Sequence, residues 1–420
     1  MSDVLDYVHN LIHQATWFNV ICLVIITILL VLLLVNKRMN APPSLKGAYL
    51  NYSSTNARKN GTLNPSDLAY PQVLEDRYSF NQLRTKLFKQ INAPLGAQLI
   101  LNSGATESIA QCVFWAKNYN QFGIVQGTNF DHSAVEDNCN NYDMTYDSTA
   151  LRKNKILDNC SMVFLTHVNS RNGEILDIPN FKRNVIDKYH YLYNSLQSIP
   201  NSAETKDNGR KHTRQYKPLI VLDATQSMNK IPIDMEAWRL NAVFFSLHKL
   251  GGPVGLGCLI IYDPENTFKP LIAGKQQASL RGGTYPLESF LHSEHIFNKF
   301  DDMNERKEVW EHSFNKLTEA GLKLYKPTGK HLYNTLLIDI DRCPLSVINS
   351  LASKGIYVGN VSACANEIEE KRMAEEKGQA IKGGKKKEYA PYERAIRISF
   401  KKSKELNDHI LDEIIKELKQ

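Results

Sequence analysis

The sequence lacks the features that mark a disulfide-bonded or zinc-binding protein. Its cysteines number seven, which is odd, and no two of them form a C-x-x-C pair. This argues against a disulfide framework and against a metal site, and it fits a reducing compartment. Excess charge of one sign is also small, because 51 Lys and Arg residues against 44 Asp and Glu residues leave +7. No nucleic-acid partner is therefore expected.

Long hydrophobic runs are absent except for one near the N-terminus. Residues Trp17–Val35 include only Asn19 and Thr27 as polar residues, and as a helix they would span roughly 28 Å, close to the bilayer hydrocarbon thickness. Lys37 and Arg38 follow, and no Lys or Arg precedes. The positive-inside rule predicts a single-pass membrane protein with its N-terminus outside and the rest in the cytoplasm. The alternative, a cleaved signal peptide, lacks the basic n-region and a good cleavage pattern.

The remaining chain is long enough for two or three domains. From about residue 98 to residue 262, short apolar runs alternate with helical patterns, which predicts βαβ units and a mostly parallel sheet. The tail looks like a smaller α+β domain. The predicted bounds are 1–16 for an N-terminal tail, 17–35 for the membrane helix, 36–47 for a linker, 48–285 for a large domain (with part of the small domain at its N-terminus) and 286–420 for the small domain.

The stretch from Asn241 to Tyr262 places a lysine between two apolar runs. Ala242–Phe245 and Cys258–Tyr262 are predicted strands, and Lys249 lies in the Gly- and Pro-rich turn between them. Lysine is rarely buried without a partner, and in such sites it can lose its charge and become a nucleophile or Schiff-base former. The alternative is a hairpin with a solvated Lys249 at its tip.

Several polar residues follow predicted strands, where open α/β sheets bind ligands. They are Thr106, His132, Asn169, Asp223 and Gln226. Ser103–Ser108 joins a strand to a helix, an arrangement that offers N–H groups and a positive dipole end to a phosphate. Singly, these have plainer explanations: Ser103 or Thr106 as a helix N-cap, and His132 as a surface or core histidine. Their convergence at one sheet edge favours a site.

Nine motifs in order carry a family resemblance over roughly residues 48–415. The chain resembles the cysteine desulfurases, pyridoxal phosphate (PLP) enzymes of the class V aminotransferase group with fold type I. This implies α/β architecture, with a mostly parallel seven-stranded sheet and a smaller α+β domain. The motifs are YLNYSST at 49–55, SGATES at 103–108, DHSAV at 131–135, HVNSRNG at 167–173, DATQSMNKIPID at 223–234, SLHKLGGPVGLG at 246–257, RGGT at 281–284, SAC at 362–364 and IRIS at 396–399.

The resemblance assigns a role to each matching position. Lys249 would bind PLP covalently, Asp223 would pair with the ring nitrogen, and Gln226 would hydrogen-bond the phenolic oxygen. His132 would stack on the ring and shuttle protons. Asn169 and Arg397 would bind the substrate carboxylate. The phosphate would be held by Ala105, Thr106, Ser246 and His248, and by Thr284 reaching over from the second subunit of a homodimer.

The implied reaction converts L-cysteine to L-alanine and leaves a persulfide on Cys364. The Cys364 thiolate would attack the substrate sulfur, and the sulfur would pass to an acceptor protein. The plainer explanation of Cys364 is an ordinary buried cysteine. Its place in a Ser-Ala-Cys loop before a charged segment favours catalysis.

The chain departs from the family pattern at a few positions. Asn51 replaces an Asp, Ser170-Arg171 replaces Asn-Glu, and Val361 stands where a small residue is common. Segments 201–217 and 367–388 are longer than expected. Two alternatives stay open: another PLP-dependent lyase of the selenocysteine lyase type, and a catalytically weak, membrane-tethered scaffold of the same fold.

Overall fold

The computed structural model describes residues 71–121, 123–157, 159–189, 217–298, 303–361, 395–400 and 405–420. The predicted membrane helix 17–35, Asn51 and Cys364 lie outside these residues. No helix in the described ranges is both long and apolar enough to cross a bilayer. Contacts divide the chain after Ser79. The predicted domain bounds stay a prediction.

The described ranges contain eight α-helices and eleven strands. The helices are α1 Pro71–Gln90, α2 Ala105–Tyr119, α3 Ala134–Asn141, α4 Ile178–Phe181, α5 Leu287–Leu291, α6 Met303–Glu319, α7 Pro344–Ser353 and α8 Asp408–Leu418. The strands are β1 Gln98–Asn102, β2 Ile124–Gln126, β3 Thr145–Asp147, β4 Cys160–Thr166, β5 Leu219–Asp223, β6 Ala242–Ser246, β7 Gly257–Ile261, β8 Lys323–Tyr325, β9 Thr335–Asp339, β10 Gly359–Asn360 and β11 Ala395–Ser399.

Seven strands form one sheet in the order β1-β7-β6-β5-β4-β2-β3. The pairs β6–β5, β5–β4, β4–β2 and β2–β3 are parallel, and β7 runs antiparallel to both β6 and β1. The predicted mostly parallel, seven-stranded sheet is therefore confirmed. The sequences of its central strands are almost continuously apolar, because parallel sheets are buried on both faces.

The side chains of the large sheet alternate between two hydrophobic cores. On β6, Val243 and Phe245 lie in one core, and Ala242 and Phe244 lie in the other. This is the period of two that a strand imposes. Helix α1 contributes to the first core through Leu83 and Leu87, and helices α2 and α3 contribute to the second. The sheet is thus the middle layer of three, and loops at its ends reach solvent.

A second sheet follows in the chain, with antiparallel order β10-β11-β9-β8. Its apolar face meets helices α6, α7 and α8 through residues such as Trp310, Leu351 and Leu411. This sheet brings Arg397, on β11, to the large sheet, because the Arg397 Nη1 donates to the Ser170 carbonyl oxygen at 3.0 Å.

Helices α5 and α6 are separated by a short 3₁₀ helix, Glu294–Asn298. Strand β10 begins at Gly359, where pairing with Arg397 of β11 sets its position. Pairing of this kind joins residues far apart in the chain, so the local sequence pattern does not determine it.

Candidate active site

The carboxyl ends of four strands meet at one edge of the large sheet. Asn102 of β1 and Ser246 of β6 both pair with Gly257, the first residue of β7, and Thr166 of β4 pairs with Asp223 of β5. The loops after these strands carry the predicted site residues. The predicted convergence of the loops is therefore present in the structure, at the edge where α/β sheets bind ligands.

The turn between β1 and α2 presents backbone amides at this edge. The Asn102 Oδ1 accepts a hydrogen bond from the Gly104 amide at 3.1 Å, and the Ser246 Oγ accepts one from the Ala105 amide at 2.7 Å. The amides of the first turn of α2 have no acceptor within the helix. The Thr106 side chain is exposed beside them. This turn can bind an anion through amides, hydroxyls and the helix dipole.

Glycine at position 257 allows this turn to lie against β7. A Cβ at Gly257 would lie 2.6 Å from the Gly104 Cα, closer than real Cβ atoms approach. Gly104 itself has φ of +149°, which L side chains rarely adopt. The two glycines therefore set how near the anion-binding turn comes to Ser246.

A largely buried ion pair fixes the same turn from the other side. The Arg281 Nε lies 2.9 Å from the Glu107 Oε1, with side-chain exposures of 18% and 12%. The Glu107 Oε2 accepts a hydrogen bond from the Ser103 amide. Burial acts to raise the pKa of Glu107, but the hydrogen bonds from Arg281 and Ser103 outweigh it and hold that pKa below its usual value. The sequence motifs contained both residues without indicating that they pair.

Lys249 lies in a 3₁₀ turn, Leu247–Leu250, between β6 and β7. Its side chain is exposed, and within the described residues its amine has no acidic partner and no hydrogen-bond acceptor. Burial and the charge of Lys249 lower the pKa of the neighbouring His248. Strands β6 and β7 form an antiparallel hairpin, as the alternative of a hairpin with a solvated Lys249 predicted. The turn, however, opens on the same edge as Asp223 and Ser246.

Asp223 is buried at the end of β5 and is 8% exposed. Burial raises its pKa, while the Thr225 amide, which donates to Oδ1 at 2.8 Å, and the charge of His132 act in the opposite direction. His132 therefore lies within electrostatic reach of Asp223. Its exposed ring is oriented by the Ala134 amide, which donates to Nδ1 at 3.1 Å. Gln226 lies half-buried in the turn that follows Asp223.

Asn169 and Arg397 come from different sheets and meet around Ser170. The buried Asn169 accepts the Arg171 amide on its Oδ1 at 2.9 Å. The Arg397 Nη1 donates to the carbonyl oxygens of Ser170 and Val361, and burial lowers the Arg397 pKa. No acidic side chain pairs with Arg397 among the residues that the structure describes. A carboxylate ligand would supply that missing negative charge.

Two predicted site residues are not brought into this group. Thr284 is exposed at the end of a loop that contains Arg281, as a residue directed at a second subunit would be. Cys364 lies outside the described residues, so its role stays a prediction.

The residues present fit pyridoxal phosphate. The first-turn amides of α2 that have no acceptor within the helix, together with the Thr106 and Ser246 hydroxyls, can donate to a phosphate, and Gly257 lets this turn lie against β7. Asp223 offers a buried carboxylate to a protonated ring nitrogen, and Lys249 offers a free amine to an aldehyde. A donor set of this kind matches each functional group of the cofactor.

Comparisons with known proteins agree with this chemistry. Residues 205–290, which include Asp223, Ser246, Lys249 and Thr284, match the family model "Aminotransferase class-V". The cysteine desulfurase IscS of Buchnera aphidicola is 25% identical over 298 residues, which covers 66% of this chain and 68% of that protein. The cysteine desulfurase IscS of Plasmodium falciparum is 29% identical over 233 residues, or 50% of this chain. Over half to two thirds of its length, the chain is thus similar to cysteine desulfurases. The match spans only 37% of the length of the Plasmodium protein.

Solved structures show the same fold. A NifS-like protein superposes with a TM-score of 0.64 at 19% identity, covering 85% of this chain and 91% of the other. A structure described as SspA in complex with cysteine gives 0.60 at 19% identity, covering 84% of this chain and 94% of the other. These likenesses show a shared fold over about 85% of the chain.

Proposed function

We propose that this chain is a PLP-dependent cysteine desulfurase that converts L-cysteine to L-alanine. One observation carries the proposal: Asp223, Ser246, Lys249 and the 103–107 turn share one sheet edge, each offering the group that PLP requires. When bound there, PLP supplies an electron sink that stabilises negative charge at the substrate α-carbon.

Asp223 and His132 would tune the site around the ring. Burial disfavours the ionised Asp223 carboxylate, and a protonated ring nitrogen beside it would offset that cost. His132, with Nδ1 accepting the Ala134 amide, carries its proton on Nε2 when neutral, so Nε2 is the atom that can donate.

Arg397 and Lys249 would act on the substrate. The Arg397 guanidinium, which has only carbonyl partners among the described residues, would bind the L-cysteine carboxylate and orient its α-hydrogen. The Lys249 Nζ would take the α-proton and later return a proton to carbon. Asn169 would complete the carboxylate contact from the loop after β4.

The sulfur step is assigned to Cys364 on the Ser-Ala-Cys motif. Its thiolate would attack the substrate sulfur, forming an S–S bond as the C–S bond breaks and its electron pair passes to carbon. Protonation of that carbon gives alanine, and the persulfide sulfur is then free to pass to an acceptor protein.

The test uses purified full-length protein with added PLP and L-cysteine. We expect near-visible absorbance from covalently bound PLP, lost in Lys249→Ala, and sulfide release with reductant, lost in Cys364→Ala. Mass spectrometry should find one added sulfur on Cys364. A yellow, folded protein that releases no sulfide would refute the desulfurase and favour the scaffold. Faster turnover of L-selenocysteine, with Cys364→Ala still active, would favour the selenocysteine lyase.

We further propose that the chain is held at a membrane by residues 17–35, with the catalytic part facing the cytoplasm. The support is the apolar run and the Lys37-Arg38 pair that follows it. The protein should stay in the membrane fraction after alkaline carbonate washing, and a variant lacking 17–35 should not. Release of the full-length protein by carbonate would refute the anchor.

A further inference from the structure

Asp131, the residue before His132, is the centre of a buried hydrogen-bond network. Its Oδ1 accepts from the Thr128 hydroxyl and the Thr166 hydroxyl, both at 2.7 Å. Its Oδ2 accepts from the Thr128 amide at 2.8 Å and the Tyr146 hydroxyl at 2.9 Å. All four donors are neutral. Burial raises the pKa of Asp131 to about 6, although the four hydrogen bonds act to lower it. Because that value lies below 7, the carboxylate is ionised at neutral pH and accepts all four hydrogen bonds.

The network joins three neighbouring strands at the edge that carries the site. Thr128 lies just after β2, Tyr146 lies on β3, and Thr166 is the last residue of β4. Gly127 makes the arrangement possible, because a Cβ there would lie 2.5 Å from the Tyr146 Oη and would also strike the Asp131 carboxylate. The backbone at Asp131 is therefore held at a defined place relative to the sheet.

Asp131 is linked to His132 through the chain and to Asp223 through Thr166. Thr166 pairs in register with Asp223, so Asp131 is tied to the strand that neighbours Asp223. His132 follows directly in the chain, and its ring is held on its other side by the Ala134 amide. One restraint therefore acts on the backbone before His132, and the other acts on its imidazole ring.

We propose that Asp131 is a positioning residue, which holds His132 beside Asp223 through its hydrogen bonds to Thr128, Tyr146 and Thr166. Its influence on the reaction rests on the proposed function, but its influence on the place of His132 does not. A purely structural role would tie the strands together without affecting His132.

A double-mutant cycle separates these two roles. In the full-length protein loaded with PLP, Asp131→Asn should lower kcat for sulfide release by roughly 10- to 100-fold, the scale expected for a misplaced catalytic group. KM should change less than about threefold. In a His132→Ala background the same substitution should cost less than about twofold, because the residue through which it acts is gone. An equal loss in both backgrounds would overturn the proposal.

The matched control is Asp147→Asn, at the position that directly follows Tyr146 in the chain. Asp147 also accepts main-chain amides, from Thr149 and Ala150, but in a turn that does not contact Asp131 or His132 through any hydrogen bond. Its kcat should equal that of the unmodified protein. If Asp131→Asn does not fold, Tyr146→Phe and Thr166→Val each remove one donor, and each should give a smaller loss of kcat that disappears in the His132→Ala background.

A second measurement, the NMR signal of the His132 ring, requires neither the cofactor nor enzymatic activity. In cofactor-free protein labelled with ¹³C-histidine, the His132 ring signal is identified by its loss in His132→Gln. Asp131→Asn should move or broaden that signal, and Asp147→Asn should not. An unmoved signal contradicts the positioning role even in an active enzyme. A moved signal in a protein without desulfurase activity supports the positioning role and refutes only the proposed function.

Discussion

At the scale of single residues, Asp223 places a charge where the fold disfavours one. It is buried at the end of a strand with one amide donor, from Thr225, and burial raises its pKa. Because the folded state favours the protonated carboxyl, the stability that Asp223 contributes is present below its unfolded pKa of about 3.9. That stability is lost as the pH rises through the folded value. At neutral pH the cofactor-free protein therefore bears the cost of a buried carboxylate.

Asp223→Asn should separate stability from cofactor binding. We expect the cofactor-free variant to be more stable at pH 7 by about 1 kcal/mol, with the gain vanishing toward pH 4, because the amide removes the buried charge. PLP affinity should fall roughly tenfold or more, since a charged acceptor is lost. Urea unfolding and PLP titration measure the two effects.

The control for this substitution is Asp143→Asn, at an exposed position with φ of +52° that Asn also tolerates. It should change neither stability nor PLP affinity appreciably. A destabilised Asp223→Asn protein at pH 7 would show that burial does not dominate the energetics of this carboxylate.

At the scale of elements, strand β7 decides how the anion-binding turn is presented. β7 pairs with both β1 and β6, so it spaces the Asn102–Ala105 turn from Ser246. The contact is made through glycine: a Cβ at Gly257 would meet both Gly104 and Asn102. On the other side, the Arg281–Glu107 ion pair holds the first turn of α2. The turn is thus fixed by two elements that are distant from it in sequence.

Gly257→Ala should therefore damage the phosphate site before it damages the fold. The added methyl group must push the 103–105 turn away from Ser246, at a cost of roughly 1–3 kcal/mol in stability. PLP affinity should fall by about tenfold or more. Gly329→Ala serves as the control, because its nearest neighbour would be 3.4 Å away, an ordinary contact. Unchanged PLP affinity in Gly257→Ala would show that the turn adapts to the methyl group.

At the scale of the whole molecule, a single subunit would lack one phosphate-binding residue if Thr284 contacts the phosphate bound by a second subunit. Thr284 is exposed, and two exposed apolar side chains precede it in the chain, Val254 at 87% and Ile272 at 40%. Exposed apolar residues near a site fit a surface that meets a second copy. The homodimer stays a prediction, and a mixing experiment can test it.

Thr284→Ala and Lys249→Ala should each be impaired alone but restore activity when unfolded and refolded together. In a mixed dimer, the Lys249 of one subunit is served by the Thr284 of the other, so one of its two sites is intact. With equal amounts and random pairing, about a quarter of all sites regain full function. Activity no greater than the sum of the separate variants would place Thr284 at its own subunit's site or at none.

The sequence alone predicted several strands of the large sheet and the polar residues that follow them. The apolar runs Ala242–Phe245 and Cys258–Tyr262 predicted strands that the structure contains, with ends displaced by one residue. The polar residues that follow them were predicted to converge. The strand Thr145–Asp147 was not predicted, because its three residues are partly exposed and include no apolar run. The signal for Asp131 was its place before His132, but nothing local shows that Thr128, Tyr146 and Thr166 donate to it.

The sequence by itself determined which groups are available: a lysine between two apolar strands, an aspartate after another, and a small-residue turn before a helix. These follow from local composition and from the periods of strands and helices. Only the tertiary structure decided which residues share hydrogen bonds, as in the Arg281–Glu107 pair and the Asp131 network, and where burial shifts a pKa. Such contacts join residues far apart in the chain, and their energies depend on distance and burial, which sequence spacing does not encode.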